Sequence, residues 1–150
     1  IRTLWASEIE PFPMKVTEQR FPSMAHKGDI TKLSGRLLFP VDIICGGSPC
    51  QDLSVAGARA GLSGARSGLF MEQIRIVKEM RTAERERGRT AADIRPRWLC
   101  WENVPGAFSS GSPKGEDFRI VLEEIIRIHD AGAEVPRSYA PDGRHKDPAG

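Results

Sequence analysis

The sequence predicts an α/β fold in which a parallel sheet is flanked by helices. Three observations carry that prediction. Short apolar, strand-forming runs alternate with stretches of helical periodicity. The run Val41 to Cys45 is almost continuously apolar, as a strand buried on both sheet faces would be. Polar or glycine-rich corners follow the strands, where open parallel sheets collect ligands.

The elements follow in order. Thr3 to Ala6 is a first strand ending near Ser7. Pro11 and Pro13 then suit the first turn of a helix, with Met14, Val16 and Phe21 near one face. Val41 to Cys45 is the second strand. Phe70, Met71, Ile74 and Val77 mark a helix that starts near Ser67 or Gly68 and fades in the charged stretch Arg81 to Arg89. Trp98 to Trp101 is a third strand, after Pro96. Phe118, Val121, Leu122, Ile125, Ile126 and His129 form a helical stripe, with Gly132 as its stop.

Composition narrows the class. A chain of 150 residues with 39% hydrophobic and 28% charged residues has the balance of a soluble single domain. Its net charge of +2 says little about a polyanionic partner. No apolar run approaches the roughly 20 residues that span a membrane, and no signal peptide opens the chain. Three cysteines without a CxxC pair predict neither a disulfide framework nor a zinc site, and a reducing cytoplasmic setting is expected. His26, His129 and His145 have no ligand spacing, so no metal is expected. Cys45 and Cys100 lie within apolar strands and are expected in the core, and Trp5, Trp98 and Trp101 in the core or at strand edges. The stretch Arg85 to Arg89 has mixed signs and reads as a solvated helix end rather than a nucleic-acid patch.

The chemistry-bearing residues fall at the corners. Cys50 follows the second strand on a glycine- and proline-shaped turn, Gly46 to Gln51, a better setting for a nucleophile than for packing. Taken alone, such a thiol is more often an inert small hydrophobe. Glu8 follows the first strand, where it either caps the strand in solvent or accepts hydrogen bonds from ribose hydroxyls. Asp29, in Gly28-Asp29-Ile30-Thr31, either caps a short turn or binds an exocyclic amine. Glu102 and Asn103 follow the third strand.

In order and spacing, four motifs resemble the cytosine carbon-5 DNA methyltransferases, which use S-adenosylmethionine. They are Ser7-Glu8-Ile9-Glu10-Pro11-Phe12, Gly28-Asp29-Ile30-Thr31, Pro49-Cys50-Gln51 and Glu102-Asn103-Val104, spread over about two-thirds of the chain. Ser48 departs from the family, which usually has a second proline there. The resemblance implies a partial Rossmann-like, S-adenosylmethionine-dependent methyltransferase fold. It makes Cys50 the nucleophile that adds to carbon 6 of cytosine, so that carbon 5 can attack the cofactor's methyl group. It gives Glu102 the ring nitrogen 3 and exocyclic amine, and Asn103 a supporting role in that loop. It assigns Glu8 to the cofactor ribose, Asp29 to the adenine amine, Ile9 and Ile30 to the adenine faces, and Leu69 to the pocket lining. The implied partner is double-stranded DNA with a flipped cytosine. Gln51, Ser54, Arg59 and Arg66 are then DNA contacts on a loop from Asp52 to Ser67 that closes over it.

The resemblance also implies parts that the chain lacks. The family opens with a strand and glycine-rich turn, and no such turn precedes Ile1. Its later arginine-bearing motif, target-recognition domain and final helix have no counterpart before Gly150. Residues 1–135 are therefore expected to form a partial catalytic domain, inactive alone, and residues 136–150 a coil tail. Three alternatives stay open: a tRNA-directed enzyme of the same family, one half of a split enzyme with a complementing polypeptide, and a non-catalytic binding remnant.

Overall fold

The computed structural model describes residues 1–47, 68–109 and 114–136. Its elements, in order, are β1 (Trp5–Ala6), α1 (Pro11–Arg20), β2 (Ala25–His26), a 3-10 turn (Ile30–Lys32), β3 (Ile43–Gly46), α2 (Gly68–Glu86), β4 (Trp98–Trp101), a second 3-10 turn (Pro105–Phe108) and α3 (Glu116–Ile126). The four strands form two parallel pairs, β1 with β2 and β3 with β4. Parallel neighbours need a crossover, supplied by α1 in the first pair and α2 in the second. This is a small α/β arrangement of parallel strands and helices.

Helix α2 organises the core. Its residues Ile76, Val77 and Met80 pack with Leu38 and Ile44. Phe70 and Ile74 pack with Val121 of α3, and Leu99 of β4 touches both groups. Trp101 completes this side by stacking on Phe118 at 6.2 Å and meeting Phe70 edge-on at 5.9 Å.

The loop after β2 is held against α2 by a polar clamp. Arg75 bridges Glu72 and Glu79 and donates to the carbonyls of Leu33 (2.9 Å) and Ile30 (3.1 Å). Glu79 accepts from the Gly35 N–H at 2.7 Å and from Ser34 at 3.2 Å. A Cβ on Gly35 would lie 2.2 Å from the Ile76 carbonyl oxygen, so glycine is what allows this approach. The clamp thereby fixes the Asp29 corner relative to α2 and β3.

Several expectations need correction. Helix α2 ends at Glu86, within the charged stretch Arg81 to Arg89 where its end was expected, and it reaches that far because Met80, Ala83 and Glu84 are all buried. Glu84 pairs with Arg87 (3.1 Å) and Arg89 (3.5 Å), which accounts for much of the charge in that stretch. The third helix ends at Ile126 rather than continuing to Gly132. Helix α1 forms where expected, but none of its residues is fully buried, and Phe12 and Val16 are exposed.

The largest correction concerns β3 and β4. Strand β3 is not buried on both faces, and Cys45 and Cys100 are not core: both are exposed. Helices α2 and α3 pack on the face carrying Ile44, Leu99 and Trp101. Alternation along each strand then turns Ile43, Cys45, Trp98 and Cys100 to the opposite face, which is open among the described residues.

Candidate active site

Each strand pair brings two of the predicted corners together. In the first pair, Trp5 lies opposite Ala25 and Ala6 opposite His26. Beyond the pair, Lys27 N–H donates to the Ala6 carbonyl at 2.8 Å, and Ser7 Oγ donates to the Gly28 carbonyl at 2.6 Å. Glu8 and Asp29 therefore stand on adjoining corners at the carboxyl ends of β1 and β2. The Ser7–Gly28 bond was not anticipated; only the shared position of the two motifs hinted at it.

Glu8 and Asp29 differ in how they are engaged. One Glu8 oxygen, Oε1, accepts from the N–H groups of Ile9 (2.8 Å) and Glu10 (2.9 Å), which fixes the carboxylate against its own backbone. Its other oxygen has no hydrogen-bond partner among the described residues. Asp29 caps the 3-10 turn, accepting from Thr31 N–H at 2.9 Å and Thr31 Oγ1 at 2.7 Å. The Thr31 hydroxyl, the Thr31 N–H and then Lys32 hold the Asp29 carboxyl below its ordinary pKa. Ile9 is two-thirds exposed beside Glu8. Ile30 is half-buried against the core around Ile44 and Ile76, which leaves only part of it for a ligand. Leu69 opens α2 and is partly exposed.

The second pair sets a tighter corner. Its register puts Cys45 opposite Cys100 and Gly46 opposite Trp101. Glu102 N–H donates to the Gly46 carbonyl at 3.0 Å, extending the ladder by one bond. The Glu102 side chain is exposed and folds over Gly47: a Cβ there would lie 2.6 Å from Glu102 Oε2 and 3.1 Å from its carbonyl oxygen. Gly46 is pressed from the other side by Gln73, whose amide would meet an added Cβ at 2.9–3.1 Å. Asn103 Oδ1 accepts from the Val104 N–H at 2.9 Å. The two glycines thus let the Gln73 amide and the Glu102 carboxylate lie close against the backbone, contacts that the sequence alone does not reveal.

Among the described residues, three donors around this strand end have no hydrogen-bond partner: Gln73 Nε2, Trp101 Nε1 and Asn103 Nδ2. Gln73 was missed by sequence reasoning, since an amide within a helical stripe carries no signal. Cys50, Gln51, Ser54, Arg59 and Arg66, with the rest of the expected DNA-closing loop, lie outside the described residues. Among the described residues no helix is long and apolar enough to cross a membrane.

Comparison with known proteins adds an independent finding. The sequence profile of the C-5 cytosine-specific DNA methylase family matches residues 1–129. The type II methyltransferase M1.ScrFI of Lactococcus lactis subsp. cremoris is 40% identical over 128 residues, covering 85% of this chain and 28% of that protein. The type II methyltransferase M.MspI of Moraxella sp is 30% identical over 150 residues, covering 97% of this chain and 32% of its own length. A DNA N-6-adenine-methyltransferase of Escherichia phage P1 is 36% identical over 114 residues, or 73% of this chain, but only 14% of the phage protein is matched. The chain thus spans less than a third of the length of these three relatives. With the profile running from Ile1 through most of the sequence, and its strand ends carrying the motifs described above, the chain belongs to the C-5 cytosine-specific DNA methylase family.

Proposed function

We propose that this chain carries the nucleophile and the base-binding carboxylate of an enzyme that methylates carbon 5 of cytosine in DNA. The observation that supports this most is the β3–β4 register. It sets Glu102 over Gly47, and Gly47 precedes Cys50 by three residues in the sequence. A thiol that follows β3 closely in the sequence, and a carboxylate just past β4, suit a reaction that attacks one edge of a pyrimidine while holding another.

In this reading the Cys50 thiolate forms a C–S bond to carbon 6 and pushes electron density to carbon 5. Glu102 accepts from the exocyclic amine and holds a proton at ring nitrogen 3, which takes up the charge developing in the ring. Asn103 steadies the backbone after Glu102 through Val104. Once carbon 5 has gained the methyl group, loss of its proton to a solvent base restores the double bond to carbon 6, breaks the C–S bond and releases the thiolate. Because carbons 5 and 6 are inaccessible in a stacked duplex, the cytosine is flipped out, with Gln51, Ser54, Arg59 and Arg66 on the DNA side.

S-adenosylmethionine, when bound, supplies an electrophilic methyl group. The residues present fit its nucleoside end. Glu8 is fixed through one oxygen and offers the other to ribose hydroxyls, and Ile9 presents apolar surface next to it. Asp29 stands on the adjoining corner as an anionic acceptor for the adenine amine, with the remaining surface of Ile30 and with Leu69 as apolar lining. This assigns residues 1–135 to a methyltransferase catalytic region of Rossmann-like design.

The adenine-directed name of the phage relative does not favour that chemistry here. An exocyclic amine is itself nucleophilic and needs no covalent activation, whereas carbon 5 does. The test is transfer of labelled methyl groups to DNA and, in parallel, to tRNA, using protein expressed from its complete coding sequence. Label in DNA cytosine is expected, abolished by Cys50→Ser and reduced by about 10²–10³ in Glu102→Gln. Label in adenine, or in tRNA alone, would overturn the proposal.

A further inference from the structure

The corners that carry Glu8 and Asp29 are each rigid within themselves. Glu8 Oε1 is held by the N–H groups of Ile9 and Glu10, and Asp29 Oδ1 by the N–H and hydroxyl of Thr31. What sets one corner against the other is a separate matter. Strands β1 and β2 pair over two residues, and their ladder ends with Lys27 N–H on the Ala6 carbonyl at 2.8 Å. Past that point the described residues join the corners through one hydrogen bond, from Ser7 Oγ to the Gly28 carbonyl at 2.6 Å.

The two ends of this bond are the residues immediately before the two acids. Gly28 has a φ of +69°, and a Cβ added there would meet nothing within 4 Å. Such a glycine has wide backbone freedom unless something else holds it. Its carbonyl belongs to the planar peptide unit that leads into Asp29, so the Ser7 hydroxyl fixes the direction in which that acid is presented. From this geometry we infer that Ser7 is a positioning residue for the cofactor, setting the spacing of Glu8 and Asp29 so that one nucleoside engages both. The inference rests on the assignment of Glu8 to the ribose and Asp29 to the adenine amine. Ser7 acts through the two acids, because its hydroxyl donates to Gly28. In Ser7→Ala the corners move independently, and a ligand that bridges them must supply the ordering itself. A ligand that engages one corner carries no such cost.

The test is calorimetric titration of protein from the complete coding sequence with S-adenosylhomocysteine and two analogues. One analogue has purine in place of adenine and so lacks the exocyclic amine; the other has a 2′,3′-dideoxyribose. Ser7→Ala should raise the Kd of S-adenosylhomocysteine about five- to tenfold, the effect of one lost hydrogen bond. It should change the Kd of either analogue by less than about twofold. Ser7→Thr keeps the hydroxyl and should bind S-adenosylhomocysteine as the unmodified protein does. Gly28→Ala strains the same peptide from its other end and should reproduce the Ser7→Ala pattern, which keeps the test decisive if that variant does not fold. Equal weakening of all three ligands would mean that Ser7 serves only the fold, and would overturn the inference. So would an unchanged Kd for S-adenosylhomocysteine in Ser7→Ala. Failure of the underlying assignment shows separately, in the unmodified protein: if losing the amine or the hydroxyls leaves its Kd unchanged, that acid does not hold that group, and the inference falls with it.

Discussion

Replacing Gly47 by alanine separates the role of Glu102 from the stability of the fold. The added Cβ would sit 2.6 Å from Glu102 Oε2, 3.1 Å from its carbonyl oxygen and 3.7 Å from its Cβ. Ordinary contact begins near 3.4 Å, so the carboxylate must retreat by about 0.8 Å, the difference between 3.4 and 2.6 Å. Glu102 is exposed, and its carboxylate ends a flexible side chain, so the retreat is cheap in stability. The carbonyl contact, at 3.1 Å, asks for only a few tenths of an ångström. Gly47→Ala should therefore change unfolding free energy by less than about 1 kcal/mol. A displacement approaching 1 Å at a group aimed at the transition state should nevertheless lower kcat/KM by about 10²-fold. The assay pairs thermal unfolding of this chain with methyl transfer by protein from the complete coding sequence. Unchanged kcat/KM would refute the placement of Glu102 on the base. A loss of several kcal/mol in stability would refute the claim that the carboxylate can turn aside.

Two further outcomes test the scaffold. In Gly35→Ala the new Cβ meets the Ile76 carbonyl at 2.2 Å, a backbone atom that cannot turn away. This should cost about 3 kcal/mol and lower Tm by roughly 6–12 °C in thermal denaturation. Glu79 gives a pH signature. Burial alone would raise its pKa, but Arg75, the Gly35 N–H and Ser34 outweigh burial and hold it below the ordinary 4.5. A depressed carboxyl pKa contributes stability that is present above the unfolded-state value and is lost as pH falls through the folded one. Glu79→Gln should therefore flatten the acid limb of a stability–pH curve below about pH 4.5. A limb as steep as that of the unmodified chain would contradict the clamp.

Much of the scaffold is legible in the sequence because its signals are local. Phe70, Ile74 and Val77 repeat with helical period, as do Phe118, Val121 and Ile125, and both stripes became helices facing the core. Strands β3 and β4 announced themselves as short β-prone runs. Strand β2 did not. Ala25 and His26 form no apolar run and pair only because Leu4 and Ala6 offer carbonyls at the right spacing. Which strand face is covered is likewise a tertiary fact, and so Cys45 and Cys100 were misplaced. At the candidate site the corners were readable from motif order. The contacts of Gly46 with Gln73 and Gly47 with Glu102 were not, since the first arises from the packing of α2 on β3 and the second from strand register.

The most direct measurement is covalent trapping on duplex DNA carrying 5-fluorocytosine at the methylated position. Fluorine at carbon 5 cannot leave as a proton does, so the C–S bond persists after methyl transfer. Protein from the complete coding sequence, given S-adenosylmethionine, should form a denaturant-resistant adduct whose DNA-linked peptide contains Cys50, and Cys50→Ser should form none. An adduct at another residue, or methylation of cytosine that survives Cys50→Ser, would contradict Cys50 as the nucleophile.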